Sequence, residues 1–193
     1  MILWRISNYE TLDGVGGLLV SARWHTRGHP VVYCTLNPAT ALLETLVHLE
    51  IDSEDRPERF HVLRIDGPDS LSIEKIEVDL LSPNWGEDVN ATQAIGDRWL
   101  SERRSLLLQV PSALVPETWN VLLNPQHTEA TLLKISATYE LAFDRGSPHR
   151  QAQTGASGES CKAGHCPLAA FRQWTALKMW ERRYVAVNTR GTL

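Results

Sequence analysis

Cysteine is scarce in this chain. Its three, Cys34, Cys161 and Cys166, are divided between a strand-like run and a polar tail, so no framework of paired disulfides is legible and structural bridges are not expected. Long hydrophobic runs are missing as well. Arg5 interrupts residues 1–6, which breaks the pattern of a signal peptide, and no continuous apolar run approaches the length of a membrane span. These absences point to a cytoplasmic protein without a membrane partner. There is no Gly-x-Ser-x-Gly elbow and no set of nucleophile, base and orienting residue, which removes support for a serine or cysteine hydrolase. Gly14, Gly16 and Gly17 match neither a phosphate loop nor a dinucleotide fingerprint, so a Rossmann-type dehydrogenase is not expected. Cys161, His165 and Cys166 fall close together with His149 nearby, but the second ligand pair of a structural zinc site is missing, and no metal is expected.

What the chain does contain is enough apolar sequence for one full-sized core, with 193 residues of which 42% are hydrophobic. The charge is unevenly spread. Residues 1–145 hold 12 Lys and Arg against 21 Asp and Glu, a net −9, whereas residues 146–193 hold 7 against 2, a net +5. An acidic body lacks the clustered cations that neutralise phosphates, so direct nucleic-acid binding is not expected of it. The basic tail suits an anionic surface. Residues 146–162 are rich in Gly, Ser, Gln and Thr and read as a linker, while residues 171–187 regain Trp174, Trp180 and Tyr184 and read as a short amphipathic helix. Docking of that helix on the acidic body and association with a second copy, as a homo-oligomer, are both open.

Residues 2–6, 31–35, 60–65, 71–78, 105–110, 121–123 and 135–143 read as strands from their β-branched and alternating content. Asn37-Pro38 opens a helix, as an N-cap followed by proline at the first helical position, and the apolar Ala39, Leu42, Leu43, Leu46, Val47 and Leu49 follow. A second helix is predicted over residues 90–103, a short one over residues 127–134, and a flexible glycine loop over residues 13–18. Strands and helices mix without a βαβ rhythm, which predicts a single α+β domain with a mixed, largely antiparallel sheet.

Glu44 stands out because it lies on the apolar helix, where a carboxylate is costly unless paired or functional. Taken singly, it also reads as a helix residue with a structural arginine partner. Arg23 reads as an ordinary ion-pair residue, Tyr33 as a core aromatic, Ser112 as a turn residue and Asn124-Pro125 as a turn. The order of the pieces says more. Trp4-Arg5-Ile6, Ser21-Ala22-Arg23-Trp24, Gly28, Val32-Tyr33, Ala41 to Glu44, Pro111-Ser112-Ala113, Asn120, Asn124-Pro125, His127 and Phe143-Asp144 together resemble the RES domain family, named for its Arg, Glu and Ser residues. The likeness covers residues 1–145 and leaves the basic tail of residues 146–193 outside it. One departure is visible, since Ser21-Ala22 stands where Gly-Gly is common.

The resemblance implies a bacterial toxin that consumes NAD, with a fold similar to ADP-ribosyltransferases and neutralised by an Xre-type helix-turn-helix antitoxin. It implies catalytic roles for Glu44, Arg23 and Tyr33, and substrate-binding roles for Arg5, Ser112 and Asn124. NAD is then a substrate, and no cofactor is required. A carboxylate stabilises the oxocarbenium-like state formed when nicotinamide leaves ribose, while guanidinium forks suit pyrophosphate. An ADP-ribosyltransferase acting on a protein, and a non-catalytic binding module that kept the fold, are the alternatives.

Overall fold

The computed structural model describes residues 1–48 and 59–142. The expected linker and helix of the tail, its cysteines and histidines, and the positions Leu49, Phe143 and Asp144 lie outside the described residues. Seven strands form one sheet in the order β4-β5-β6-β2-β1-β3-β7. They are β1 (Ile2–Ile6), β2 (Val32–Thr35), β3 (Arg59–Asp66), β4 (Ile73–Lys75), β5 (Leu107–Pro111), β6 (Trp119–Leu123) and β7 (Lys134–Ala142). Among the described residues only β4 and β5 pair in parallel; the remaining pairs are antiparallel. The α+β class with a mixed, largely antiparallel sheet is therefore what the chain adopts.

Among the described residues three helices accompany the sheet: α1 (Val15–Leu19), α2 (Pro38–His48) and α3 (Val89–Glu102). At the start of α2 the Asn37 side chain accepts the Ala39 N–H at 2.8 Å, so the Asn-Pro pair opens the helix as its chemistry dictates. Asp88 does the same for α3, accepting from Ala91 N–H at 3.0 Å.

Some expectations need correction. The glycine segment is a short helix rather than a loop, because Asp13 accepts the Val15 N–H at 3.1 Å and Gly14, at φ 69°, turns the chain into the first turn. A side chain at Gly14 would meet the Val31 nitrogen at 2.5 Å, so this entry admits glycine alone. The strand expected over residues 71–78 is confined to Ile73–Lys75, and a 3-10 turn follows at Val78–Leu80. The helix expected near residue 127 is a 3-10 turn, Thr128–Leu132, capped by His127.

The strand period sorts side chains onto two faces. Leu3, Val32, Cys34, Ile65, Leu107, Val121 and Leu123 join one core cluster, closed over by Leu71, Leu106 and Leu133. Leu108, Val110 and Leu122, the intervening residues of β5 and β6, join a second cluster with Trp24, Val31, Trp99 and Leu100. Trp99 and Leu100 come from α3, so that helix covers the second face. The Trp99 indole N–H donates to Ser105 Oγ at 2.8 Å, which satisfies its polar edge in a fully buried position. Among the described residues no helix is long and apolar enough to cross a membrane.

Candidate active site

Arg23 and Trp24 sit at the tip of a tight turn whose ends, Ala22 and His25, bridge each other. α3 holds that turn from behind. Thr92 Oγ1 donates to the Arg23 carbonyl at 2.7 Å and Gln93 Nε2 to the Ala22 carbonyl at 2.8 Å. The approach is close because residue 96 is glycine; a side-chain carbon there would fall 1.7 Å from the Trp24 carbonyl oxygen. Ser21 and Ala22 replace the common glycines without strain, since neither has a positive φ and Ser21 Oγ accepts the Arg27 N–H at 2.9 Å.

Tyr33, the β2 residue between Val32 and Cys34, borders the second face. Its hydroxyl accepts the Trp24 N–H at 3.3 Å and lies 2.9 Å from His25 Nδ1. His25 Nε2 is 2.9 Å from the Val20 carbonyl, which can only accept. The imidazole therefore carries its proton on Nε2, and Tyr33 donates to Nδ1. Burial pushes the Tyr33 pKa well above the phenol range and lowers that of His25, and both effects favour this neutral pairing.

Asn120 on β6 is paired with Thr35 of β2, and it shares a face with Leu122 two residues on. Glu44 reaches this edge from α2, which packs against β1 and β2. Its Oε1 accepts from Ser112 Oγ at 2.7 Å and from Asn120 Nδ2 at 2.8 Å. The Ser112 hydroxyl itself accepts the N–H groups of Leu114 at 3.1 Å and Val115 at 3.3 Å, so its proton is directed at the carboxylate. Arg23 is within electrostatic reach of both Glu44 and Tyr33. Burial lowers its pKa, and these two neighbours oppose the shift. Its Nη1 donates to the Gly86 carbonyl at 2.7 Å. Gly86, Trp85, Pro111, Ser112 and Leu114 line a cleft of about 530 Å³, within the size range of small-molecule sites.

Arg23, Tyr33, Glu44 and Ser112 are thus brought to one region, together with Asn120. Two other candidates are not. Arg5 shares the Leu3 face of β1, and its electrostatic neighbours are Cys34 and Asp13, so the sheet separates it from Tyr33 and Asn120. Its Nη1 donates to the Thr11 carbonyl at 2.8 Å. Asn124 is buried; its Nδ2 donates to the Leu100 carbonyl at 2.9 Å and its Oδ1 accepts the Gln126 N–H at 3.0 Å. It ties α3 to the sheet, with both polar atoms of its side chain engaged inside the fold. Among the described residues no cluster of His, Cys, Asp or Glu is arranged to hold a metal ion. Asn120 and His25 were not singled out from the sequence as site residues, because only the strand register and the Ala22–His25 turn give them their partners.

Residues 2–144 match the RES domain. The chain is 50% identical over 135 residues to Toxin Res of Pseudomonas putida, an alignment covering 70% of this chain and 92% of that one. It is 33% identical to the Prs ADP-ribosylating toxin of a Sphingobium species, over 73% of this chain and 92% of that one. In fold it is similar to a chain of the M. tuberculosis MbcT-MbcA toxin-antitoxin complex, with a TM-score of 0.55, 17% identity, and coverage of 73% and 84% of the two chains. The chain belongs to the RES domain toxin family.

Proposed function

We propose that this protein is a toxin that breaks the bond between nicotinamide and ribose in NAD and is held in check by a cognate antitoxin. The observation that carries the reading is the Glu44 carboxylate, oriented by Ser112 and Asn120 within electrostatic reach of Arg23, with Ser112 itself on the wall of a cleft. As nicotinamide departs with the bonding electrons, positive charge develops on the ribose anomeric carbon and ring oxygen. A fixed carboxylate stabilises that charge without reorganising. Arg23 supplies a guanidinium for the pyrophosphate, and the Tyr33 ring, pinned through its hydroxyl, offers an apolar face to a base. Ser112 directs its proton at Glu44 and so acts as an orienting group rather than a nucleophile. An abundant substrate requires occlusion by a partner, and an Xre-type antitoxin closing the cleft meets that need; NAD supply places the action in the cytoplasm.

Water, phosphate and a protein side chain are all competent to take the ADP-ribosyl group. The similarity to the Sphingobium protein, an ADP-ribosylating toxin by name, favours the last of these as a second reading. The test is product analysis of the purified full chain with NAD, with and without phosphate, and with added cell extract. Free nicotinamide with ADP-ribose indicates hydrolysis, a phosphate adduct indicates phosphorolysis, and a labelled protein band indicates transfer. Absence of nicotinamide under all three conditions removes the proposal.

A further inference from the structure

The Asn120 side chain is anomalous in one respect. Its Nδ2 donates to Glu44 Oε1 at 2.8 Å, while its Oδ1 is buried without a hydrogen-bond partner. Its backbone belongs to the sheet, paired with Thr35 on one side and Val110 on the other, so the side chain is not needed to hold the strand. Reversing the amide would turn its oxygen toward the carboxylate, oxygen against oxygen, and this fixes the orientation. A buried amide left half satisfied is unfavourable for the fold, yet its satisfied half is directed at the one carboxylate that the proposed reaction needs.

We infer that Asn120 is a positioning residue for Glu44, acting with Ser112 from the opposite chain segment to hold Oε1 in a single place. This rests on the proposed NAD cleavage for its catalytic consequence, though not for the geometry. The two donors converge on one oxygen from different elements: Ser112 from just beyond β5, Asn120 from the start of β6. Two such bonds remove the rotational freedom that a lone serine contact leaves to a helix-borne glutamate. The side-chain hydrogen bond of Asn120 goes to the carboxylate, so a positioning role predicts that its loss affects turnover more than affinity.

Two variants of the full chain separate positioning from packing. Asn120→Asp keeps the shape and replaces the donor with a carboxylate facing Glu44; Asn120→Ala removes both shape and donor. Positioning predicts that kcat for nicotinamide release falls about 30-fold or more in both, with KM changed by less than about threefold, and that Asp is no milder than Ala. A packing role predicts the reverse order, with Asp near wild type. In a double-mutant cycle with Glu44→Gln, Asn120→Ala causes little further loss. The carbon-13 resonance of the Glu44 carboxyl, assigned by its disappearance in Glu44→Gln, must also move in Asn120→Asp, a readout that does not depend on turnover. Wild-type kcat in folded Asn120→Asp overturns the inference, and so does an unmoved Glu44 resonance. Inactivity of the wild-type chain with a shifted resonance overturns the NAD reading and leaves the positioning role standing.

Discussion

The two faces of the central sheet are built from the same strands and differ by one residue in register. On β2, Val32 and Cys34 point into a wholly apolar cluster, while Tyr33 borders the turn carrying Arg23; on β6, Val121 and Leu123 point into that cluster, while Asn120 meets Glu44. Burial on the apolar face is severe enough to push the Cys34 thiol up to about 12, with Arg5 partly opposing the shift, so this cysteine is kept protonated and unreactive. The other face keeps a carboxylate, a guanidinium, a phenol and a hydroxyl beside a cleft. One face is given to the core cluster around Leu3, while the other carries a second core cluster and, beside it, the polar side chains of the candidate site, and the strand period of two keeps the two faces apart.

The sharpest separation comes from Glu44→Gln. This isosteric change should lower nicotinamide release by about 10²- to 10³-fold while the thermal midpoint stays close to wild type. Normal turnover in the folded variant would remove Glu44 from the mechanism. Leu123→Ala probes the opposite face, where Leu123 is 1% exposed. A loss of about 2–5 kcal/mol is expected in denaturant unfolding, with activity per folded molecule retained; a selective fall in activity would mean that the faces are coupled.

Gly96→Ala joins the two effects. The added methyl meets the Trp24 carbonyl, so α3 and the arginine turn must move apart. Destabilisation of about 1–3 kcal/mol should come with a rise in KM, measured on the fraction that remains folded. Unchanged stability would show that the turn accommodates the shift.

The smallest effect concerns His25. Burial lowers its pKa below the ordinary value of 6.5, with the Val20 carbonyl and Asp97 partly opposing the shift. The unfolded chain then binds the proton more readily, so this contribution to stability is complete above 6.5 and is lost as the pH falls through 6.5 toward the lowered folded value. Thermal midpoints recorded from about pH 7.5 down to about pH 5 should fall less steeply for His25→Gln than for wild type. Parallel curves would show that His25 is not the titrating group.

Legibility differed in the same way between elements and contacts. The start of α2 at Asn37-Pro38, most of α3 and the strands β1, β2 and β3 follow from caps and alternation, which act over a few residues. The start of β6 was not legible, because Asn120, a residue depleted in strands, separates Trp119 from the apolar run that follows, and both are drawn into the sheet by pairing with Pro111, Val110 and Thr35. Arg5 and Asn124 were site candidates through the family resemblance. Their places were decided by strand parity in one case and by the Leu100 carbonyl in the other.

By itself the sequence determined the mixed α+β class, the helix bearing Glu44 and the ordered set of short motifs that carries the family resemblance, since these depend on local periodicity and on residue order. Tertiary structure decided which of those residues meet. The bonds from Ser112 and Asn120 to Glu44 span 68 and 76 residues, and only the antiparallel register of β2, β5 and β6, with α2 laid against the sheet, brings donors so distant in the chain within 3 Å of one oxygen.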